Sequence, residues 1–158
     1  MKRLFSGILI AVAVMTIAAC GDDDAPVVKD MEKPTISNDE NSYPQNCQVY
    51  KRGEVVPFRC VFADNQELGS FNIEIHNNFD HHSHSTAAGD CGLDARKEPV
   101  RPWVYNSGGE IPAGQKSYKA SVDIPIPADI DAGDYHFMVR LTDRSGWQEL
   151  KAVSIKII

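Results

Sequence analysis

Short runs in which apolar and polar residues alternate dominate the chain after residue 47. The runs lie at 56–62, 71–75, 122–126, 135–141 and 153–157, and residues typical of turns separate them at 64–65, 108–109 and 143–146. Apolar side chains at every second position are typical of β-strands that bury one face. No stretch of this part has the 3.6-residue period of an amphipathic helix. The pattern predicts an antiparallel β-sandwich in which each sheet has one buried and one solvated face.

A second feature of the sequence narrows the fold class. The segment at 131–135, Asp-Ala-Gly-Asp-Tyr, opens the penultimate predicted strand. It resembles the tyrosine corner of immunoglobulin-like domains, in which a Tyr at the start of strand F bonds to upstream backbone. Tyr135 would be that residue. Cys60 and Phe137 would then occupy the positions of the two bridging cysteines of antibody domains, so that cross-sheet bridge is not expected. The predicted fold is an immunoglobulin-like antiparallel β-sandwich.

The N-terminus has the organisation of a lipoprotein signal. Two basic residues at 2–3 precede a mainly apolar run at 4–19, which ends in Ile17-Ala18-Ala19-Cys20. This run is short for a bilayer span, which needs ~20 residues, and suits a cleavable signal peptide. The last four residues resemble the bacterial lipobox, which implies cleavage before Cys20 and lipidation of Cys20. Several acyl chains would hold the protein firmly on a membrane. The alternative is an uncleaved anchor helix.

The residues after Cys20 predict a tether and a destination. An acidic cluster at 22–24 resembles the signal that exports Bacteroidetes-type lipoproteins to the outer face of the outer membrane. An acidic spacer in a periplasmic lipoprotein is the alternative. Prolines among polar residues indicate a linker that does not pack. The expected organisation is a signal peptide at 1–19, an acidic, Pro-containing tether at 20–31 and the sandwich domain at 32–158, with a first edge strand at 34–36.

The charge of the chain argues against nucleic acid as a partner. The full sequence has 16 Lys and Arg against 22 Asp and Glu, a net charge of −6. Removing residues 1–19 removes two basic residues and no acidic one, so the mature charge is 14 − 22 = −8. Nucleic-acid-binding domains usually carry a basic patch. The membrane, an outer-membrane transporter or a surface protein are the expected partners.

Three cysteines remain after lipidation, and a compartment outside the cytosol permits a disulfide between two of them. Cys47 and Cys60 flank a turn at 51–53 and would face each other across a hairpin. We therefore expect a Cys47–Cys60 bridge and a free Cys91. The two other pairings are also compatible with the spacing.

Histidines supply the candidate chemistry. Four of the five His lie within residues 76–84, in the sequence Ile-His-Asn-Asn-Phe-Asp-His-His-Ser-His. Neutral imidazole is a common ligand of zinc and copper. The candidate metal ligands are His76, His81, His82, His84, His136 and Asp80. Asp80 would serve as an oxygen ligand or orient an imidazole. A solvated polar loop is the alternative interpretation.

The predicted register brings the fifth histidine to the other four. His76 alternates with inward Ile75 at the end of the run at 71–75, the predicted strand C. His136 alternates with inward Tyr135 near the start of the run at 135–141, the predicted strand F. Strands C and F are antiparallel neighbours in an immunoglobulin-like sheet, so the two His would lie opposite each other with Cβ atoms ~5 Å apart. His76 and His136 would then be rigid ligands, with the loop His completing the site. A slip of one residue would turn either side chain inward.

The His segment at 75–84 also resembles an uncharacterised family of Bacteroidetes lipoproteins, defined as a domain of unknown function with an immunoglobulin-like fold. The match would cover roughly residues 32–158, including Lys33-Pro34-Thr35-Ile36 and Leu141-Thr142-Asp143. The resemblance implies the fold and the location, and it implies no activity.

The resulting hypothesis is a membrane-anchored lipoprotein that captures, buffers or delivers zinc or copper. The alternative is a structural or adhesive surface module that binds a protein or a glycan without metal. An enzyme is not expected, because the sequence has no recognisable nucleophile triad, phosphate-binding loop or paired-carboxylate motif.

Overall fold

A computed structural model describes residues 29–37, 39–42, 44–84 and 91–158. These residues form eight β-strands: β1 (Thr35–Ile36), β2 (Gln48–Tyr50), β3 (Val55–Ala63), β4 (Leu68–Asn77), β5 (Tyr105–Glu110), β6 (Ser117–Pro125), β7 (Gly133–Asp143) and β8 (Gln148–Ile157). In this described part, no helix is long and apolar enough to cross a membrane. The predicted signal peptide, Cys20 and most of the predicted tether lie outside the described residues.

The strands form two sheets that face each other. One sheet has the order β1-β3-β6 and the other the order β2-β8-β7-β4-β5. This arrangement confirms the all-β sandwich, and the orders β1-β3-β6 and β8-β7-β4 correspond to strands A-B-E and G-F-C of an immunoglobulin-like fold. The expected edge strand at 34–36 is confirmed as β1. The sheets are not wholly antiparallel, because short β2 adds to β8 in parallel.

The core lies between the sheets and follows the alternation in the sequence. The inward positions of the long strands are almost completely buried: Val56, Phe58 and Phe62 on β3, Ile73 and Ile75 on β4, Tyr135, Phe137 and Leu141 on β7, and Ile155 and Ile157 on β8. Aromatic rings cross the interface, and the centroids of Phe58 and Phe137 lie 5.7 Å apart. Such close packing makes the core sensitive to changes in side-chain volume.

Strand β7 departs from the alternation at its first half, where both faces are buried. His136 and Met138 point away from the core, yet only 3% and 7% of their surfaces are exposed. The strand is central in the five-stranded sheet, and the chain that follows β4 covers His136. The outer face of the sheet therefore has a second, polar packing layer at this end.

The tyrosine corner is present. The Tyr135 hydroxyl donates a hydrogen bond to the Asp131 carbonyl (2.7 Å) and accepts one from the Trp103 amide (3.2 Å). The Tyr135 side chain has no exposed surface, and Trp103 is also buried. These bonds connect the start of β7 to the segment that precedes β5.

The prediction of a turn at Gly108-Gly109 is wrong, because both glycines lie inside β5. A Cβ atom at Gly108 would lie 2.4 Å from the carbonyl oxygen of Phe71 on β4. Glycine in a strand commonly marks such a close approach of two backbones. The Gly-Gly pair, which is typical of a turn, here permits the close approach of β5 to β4.

The predicted Cys47–Cys60 bridge is also wrong, since the disulfide joins Cys47 to Cys91. Strand β2 pairs with β8 and not with β3, so the turn at 51–53 carries the chain from one sheet to the other. Cys47 therefore never faces Cys60. Cys60 is a buried free thiol whose Sγ lies 3.6 Å from the Ser37 carbonyl, and burial raises its pKa.

We expect Tyr135→Phe to destabilise the protein by about 1–3 kcal/mol, because it leaves the buried Trp103 amide without its acceptor. Urea unfolding of both proteins would measure the difference. Tyr118→Phe, at a half-buried position on β6, serves as the control. Equal stability of Tyr135→Phe and the unmodified protein would contradict a structural role for this hydroxyl.

Candidate metal centre

The pairing of β4 with β7 brings two histidines together on the outer face of the five-stranded sheet. The register places His76 directly opposite His136, as the alternation predicted. The centroids of the two rings lie 5.6 Å apart. The pairing of these two strands therefore fixes the positions of His76 and His136 at the base of the candidate site.

The chain after β4 folds back over His76 and His136, and contacts with β7 anchor its start. The Asn78 amide donates to the Asp134 carbonyl (2.8 Å), and buried Phe79 packs edge-to-face on Tyr135 with centroids 5.3 Å apart. His81 then adopts a left-handed backbone conformation with φ of 60°. His is among the non-glycine residues that tolerate this conformation best. The turn directs the residues after it back toward the sheet.

Three imidazoles converge over β4. The Nε2 atom of His76 lies 3.2 Å from Nε2 of His82 and 3.0 Å from Nε2 of His84. One ring nitrogen from each of the three lies within 4.8 Å of the others, so this group could hold a metal ion. Ligand nitrogens of tetrahedral zinc are about 3.3 Å apart, given Zn–N distances of ~2.0–2.1 Å. The spacing of the His76, His82 and His84 side chains is close to that of a tridentate site.

A carboxylate holds the far side of one of these rings by a hydrogen bond, and a second carboxylate lies beside another ring without one. Nδ1 of His82 lies 2.5 Å from Oδ1 of Asp80, and this hydrogen bond lowers the pKa of Asp80. Nδ1 of His76 lies at ion-pair distance, 3.0 Å, from Oε1 of Glu74. Carboxylates in this position orient a ligating imidazole and increase its basicity. Glu74 was not among the predicted site residues, although its position two residues before His76 on the same strand face was a usable signal.

Hydrogen bonds among the three Nε2 atoms cannot satisfy all of them when the rings are neutral. If the Nδ1–H of a neutral His82 donates a hydrogen bond to Asp80, the Nε2 of His82 carries a lone pair. The single Nε2 position of His76 faces two other Nε2 atoms, and one proton there can satisfy only one of them. A metal ion or an additional proton would remove the remaining repulsion between lone pairs.

His84 favours its neutral form. Burial lowers its pKa, and the neighbouring His76 and His82 lower it further through repulsion between positive charges. A metal ligand must be deprotonated to bind, so this shift favours metal over proton near neutral pH. The carboxylate of Glu74 acts weakly in the opposite direction.

His136 supports the three converging rings and is not part of the group. Its Nε2 donates to the His82 carbonyl (3.2 Å), and its ring packs edge-on against His84 with centroids 4.5 Å apart. The other nitrogen, Nδ1, is buried without a partner among the described residues. Burial lowers the pKa of His136 to about 4, with smaller contributions from His84 and the other two rings. The predicted register of His136 is confirmed, and its contacts place it beneath the three rings.

His81 does not fit the predicted ligand set. Its Nε2 donates to the Asp94 carbonyl (2.9 Å), and its Nδ1 accepts from Nε of Arg96 (3.4 Å). Both ring nitrogens are therefore engaged with the segment that precedes β5. His81 fastens the loop and does not line the site.

The chain belongs to a family defined as a domain of unknown function, DUF4625, whose model matches residues 18–158. This match confirms the expected family of unknown function. No curated protein matches the sequence.

Two solved structures resemble the sandwich. A family 123 glycoside hydrolase from Clostridium perfringens has a TM-score of 0.49 at 15% identity, covering 79% of this chain and 27% of the hydrolase chain. The GspB Siglec domain has a TM-score of 0.42 at 18% identity, covering 82% of this chain and 59% of that one. The chain thus spans about a quarter of the first structure and under two thirds of the second. Neither likeness bears on function.

We expect the metal-free protein to lose stability as pH falls from 6.5 toward 4. In this window the unfolded chain binds a proton at His136, whereas the folded protein, whose pKa is lowered to about 4, does not. The free energy of unfolding should therefore decrease by up to about 3 kcal/mol. Urea unfolding in the presence of a chelator at several pH values would measure the slope.

His136→Gln should have a shallower slope than the unmodified protein, and Tyr118→Phe, on β6 in the other sheet, should keep the original slope. The comparison uses slopes because the buried substitution also changes absolute stability. The same slope in all three proteins would contradict this assignment of His136.

Proposed function

We propose that this protein binds zinc or copper through His76, His82 and His84, for capture, buffering or delivery of the metal. The observation that carries the proposal is the convergence of three Nε2 atoms at 3.0 and 3.2 Å on one side of the rings. The Asp80 contact on the far side of His82 supports it. Nitrogen donors favour zinc and copper, whereas Ca²⁺ and Mg²⁺ require oxygen ligands.

The exposure of the site favours binding and exchange over catalysis. The side chains of His76 and His82 are 19% and 36% exposed, so an ion there could enter and leave from solvent. Three protein ligands leave one tetrahedral position free for water or for a ligand from a partner. A transfer protein needs such a free position, because a partner must bind the metal before the first site releases it.

Metal analysis of the purified protein would test the proposal. We expect about one zinc or copper ion per chain by elemental mass spectrometry after incubation with either ion. His84→Asn should lose the ion, because it removes one of the three converging nitrogens without altering a strand. Ser83→Ala is the matched control, since it changes an exposed side chain of the same loop and leaves all three ligands in place.

Asp80→Ala should weaken binding by about 10–100-fold, the usual effect of removing a group that orients a ligand. Absence of both metals from the unmodified protein at micromolar concentration would overturn the proposal. It would also favour the alternative of an adhesive or structural module. Equal loss of metal in the Ser83 and His84 variants would place the ligands elsewhere.

The same proposal includes attachment to the outer membrane through lipid on Cys20, with an outer-membrane transporter or a surface protein as the delivery partner. The lipobox-like sequence at 17–20 and the acidic cluster at 22–24 support it. We expect incorporation of labelled palmitate into the protein in its host and no incorporation in Cys20→Ser. A protein labelled equally with and without Cys20 would contradict this attachment.

A further inference from the structure

A second group of potential ligands lies at the opposite end of the sandwich from the histidines. Asp30 precedes β1, Asp64 directly follows β3, and Asp143 is the last residue of β7. His136 and Asp143 are seven residues apart on β7, which at ~3.3 Å per residue separates them by roughly 23 Å. We call these three residues the acidic cluster. It shares no residue with the candidate metal centre.

The acidic cluster is compact and largely buried. One carboxylate oxygen from each Asp lies within 4.8 Å of the others. Asp30 and Asp143 are only 5% and 4% exposed, and Asp64 is half-buried. Burial of carboxylates this close together is unfavourable unless a cation or hydrogen bonds compensate their charge.

Backbone amides occupy one oxygen of each carboxylate. Asp30 Oδ1 accepts from the Glu32 amide, Asp143 Oδ1 from the Trp147 amide, and Asp64 Oδ2 from the amides of Gln66 and Glu67, at 2.7–3.1 Å. The second oxygens, Oδ2 of Asp30, Oδ1 of Asp64 and Oδ2 of Asp143, are buried without a partner among the described residues. The amides thus hold the carboxylates in place and leave three buried acceptors unsatisfied.

The nearby basic side chains are engaged elsewhere. Arg144 pairs with Glu67 (3.4 Å) and Glu110 (3.9 Å), and Nζ of Lys116 donates to the Asn65 carbonyl (2.8 Å). Within the described part of the chain, no ion pair involves a carboxylate of the acidic cluster. The cluster therefore combines three unsatisfied oxygens with the absence of a paired basic side chain among the described residues.

We propose that the acidic cluster binds Ca²⁺. Ca²⁺ takes oxygen ligands at ~2.3–2.6 Å, so two of its ligands can be up to about 4.8 Å apart. The carboxylate spacing matches this range, and backbone carbonyls or water would complete the coordination. Mg²⁺ demands shorter, near-octahedral geometry and fits a site of fixed, spread carboxylates less well.

The position of the cluster gives the ion a structural role. Asp64 follows a strand of the three-stranded sheet and Asp143 ends a strand of the five-stranded sheet, so the ion connects both sheets. Asp30 brings in the segment that enters the domain, and its carbonyl also accepts a hydrogen bond from the Trp147 indole (3.1 Å). Bound Ca²⁺ would fasten this entry segment to the sandwich.

Thermal unfolding with and without Ca²⁺ would test the inference. Extracellular calcium modules bind with dissociation constants of ~10⁻⁴–10⁻³ M. We expect 10 mM CaCl2 to raise the melting temperature of EGTA-treated protein by about 5 °C or more, and MgCl2 to have a smaller effect. Asp30→Asn/Asp143→Asn should remove this shift.

Three further variants distinguish calcium binding at the acidic cluster from a folding defect, a general charge effect and binding at the His site. Asp64→Asn alters the half-buried member and tests the site if the double variant does not fold. Asp123→Asn, which removes an exposed carboxylate paired with Arg59, should keep the full calcium shift. His84→Asn should also keep it, so failure of the His site and failure of the acidic cluster are distinguishable. No shift in the unmodified protein, or the same shift in the double variant or Asp64→Asn, would overturn the inference.

Discussion

The antiparallel register between β4 and β7 determines where the functional side chains lie. These strands sit side by side in the five-stranded sheet, with Ile73 opposite Val139 in the core layer and His76 opposite His136 on the outer face. Because side chains alternate between the faces of a sheet, a slip of one residue would move His76 into the core and Ile75 to the surface. Burial of the apolar set on both strands therefore holds the imidazoles in place.

The loop after β4 converts this fixed pair into a ligand group. Phe79 inserts into the core and His81 bonds to the segment before β5, so both ends of the turn are held by contacts outside the site. The residues between and after these anchors then have little freedom. His82 and His84 meet His76 as a result of packing and turn geometry, and Asp80 sets the orientation of one ring.

The two ends of the sandwich carry different donor chemistry. Imidazole nitrogens gather near the start of β7, in a half-exposed position that suits an exchangeable zinc or copper ion. Carboxylate oxygens gather at its other end, in a buried position that suits a structural Ca²⁺. The proposed roles follow from this contrast, because an exposed site with three ligands exchanges its ion more readily than a buried site that connects two sheets.

The sequence alone determined the strand pattern, because this pattern follows from period-two alternation along the chain. The tyrosine corner at Tyr135 and the pairing of His76 with His136 followed from that alternation together with the resemblance to immunoglobulin-like domains. Only the tertiary structure decided which histidines converge, since His81 bonds to the segment before β5 whereas His82 and His84 meet His76. The same holds for the Cys47–Cys91 bridge, which depends on β2 joining β8 in the other sheet. The acidic cluster had no local signal, because Asp30, Asp64 and Asp143 are far apart in sequence and meet only where strands from both sheets end. Alternation determines which face a side chain occupies, whereas contacts between distant segments require the packed sheets.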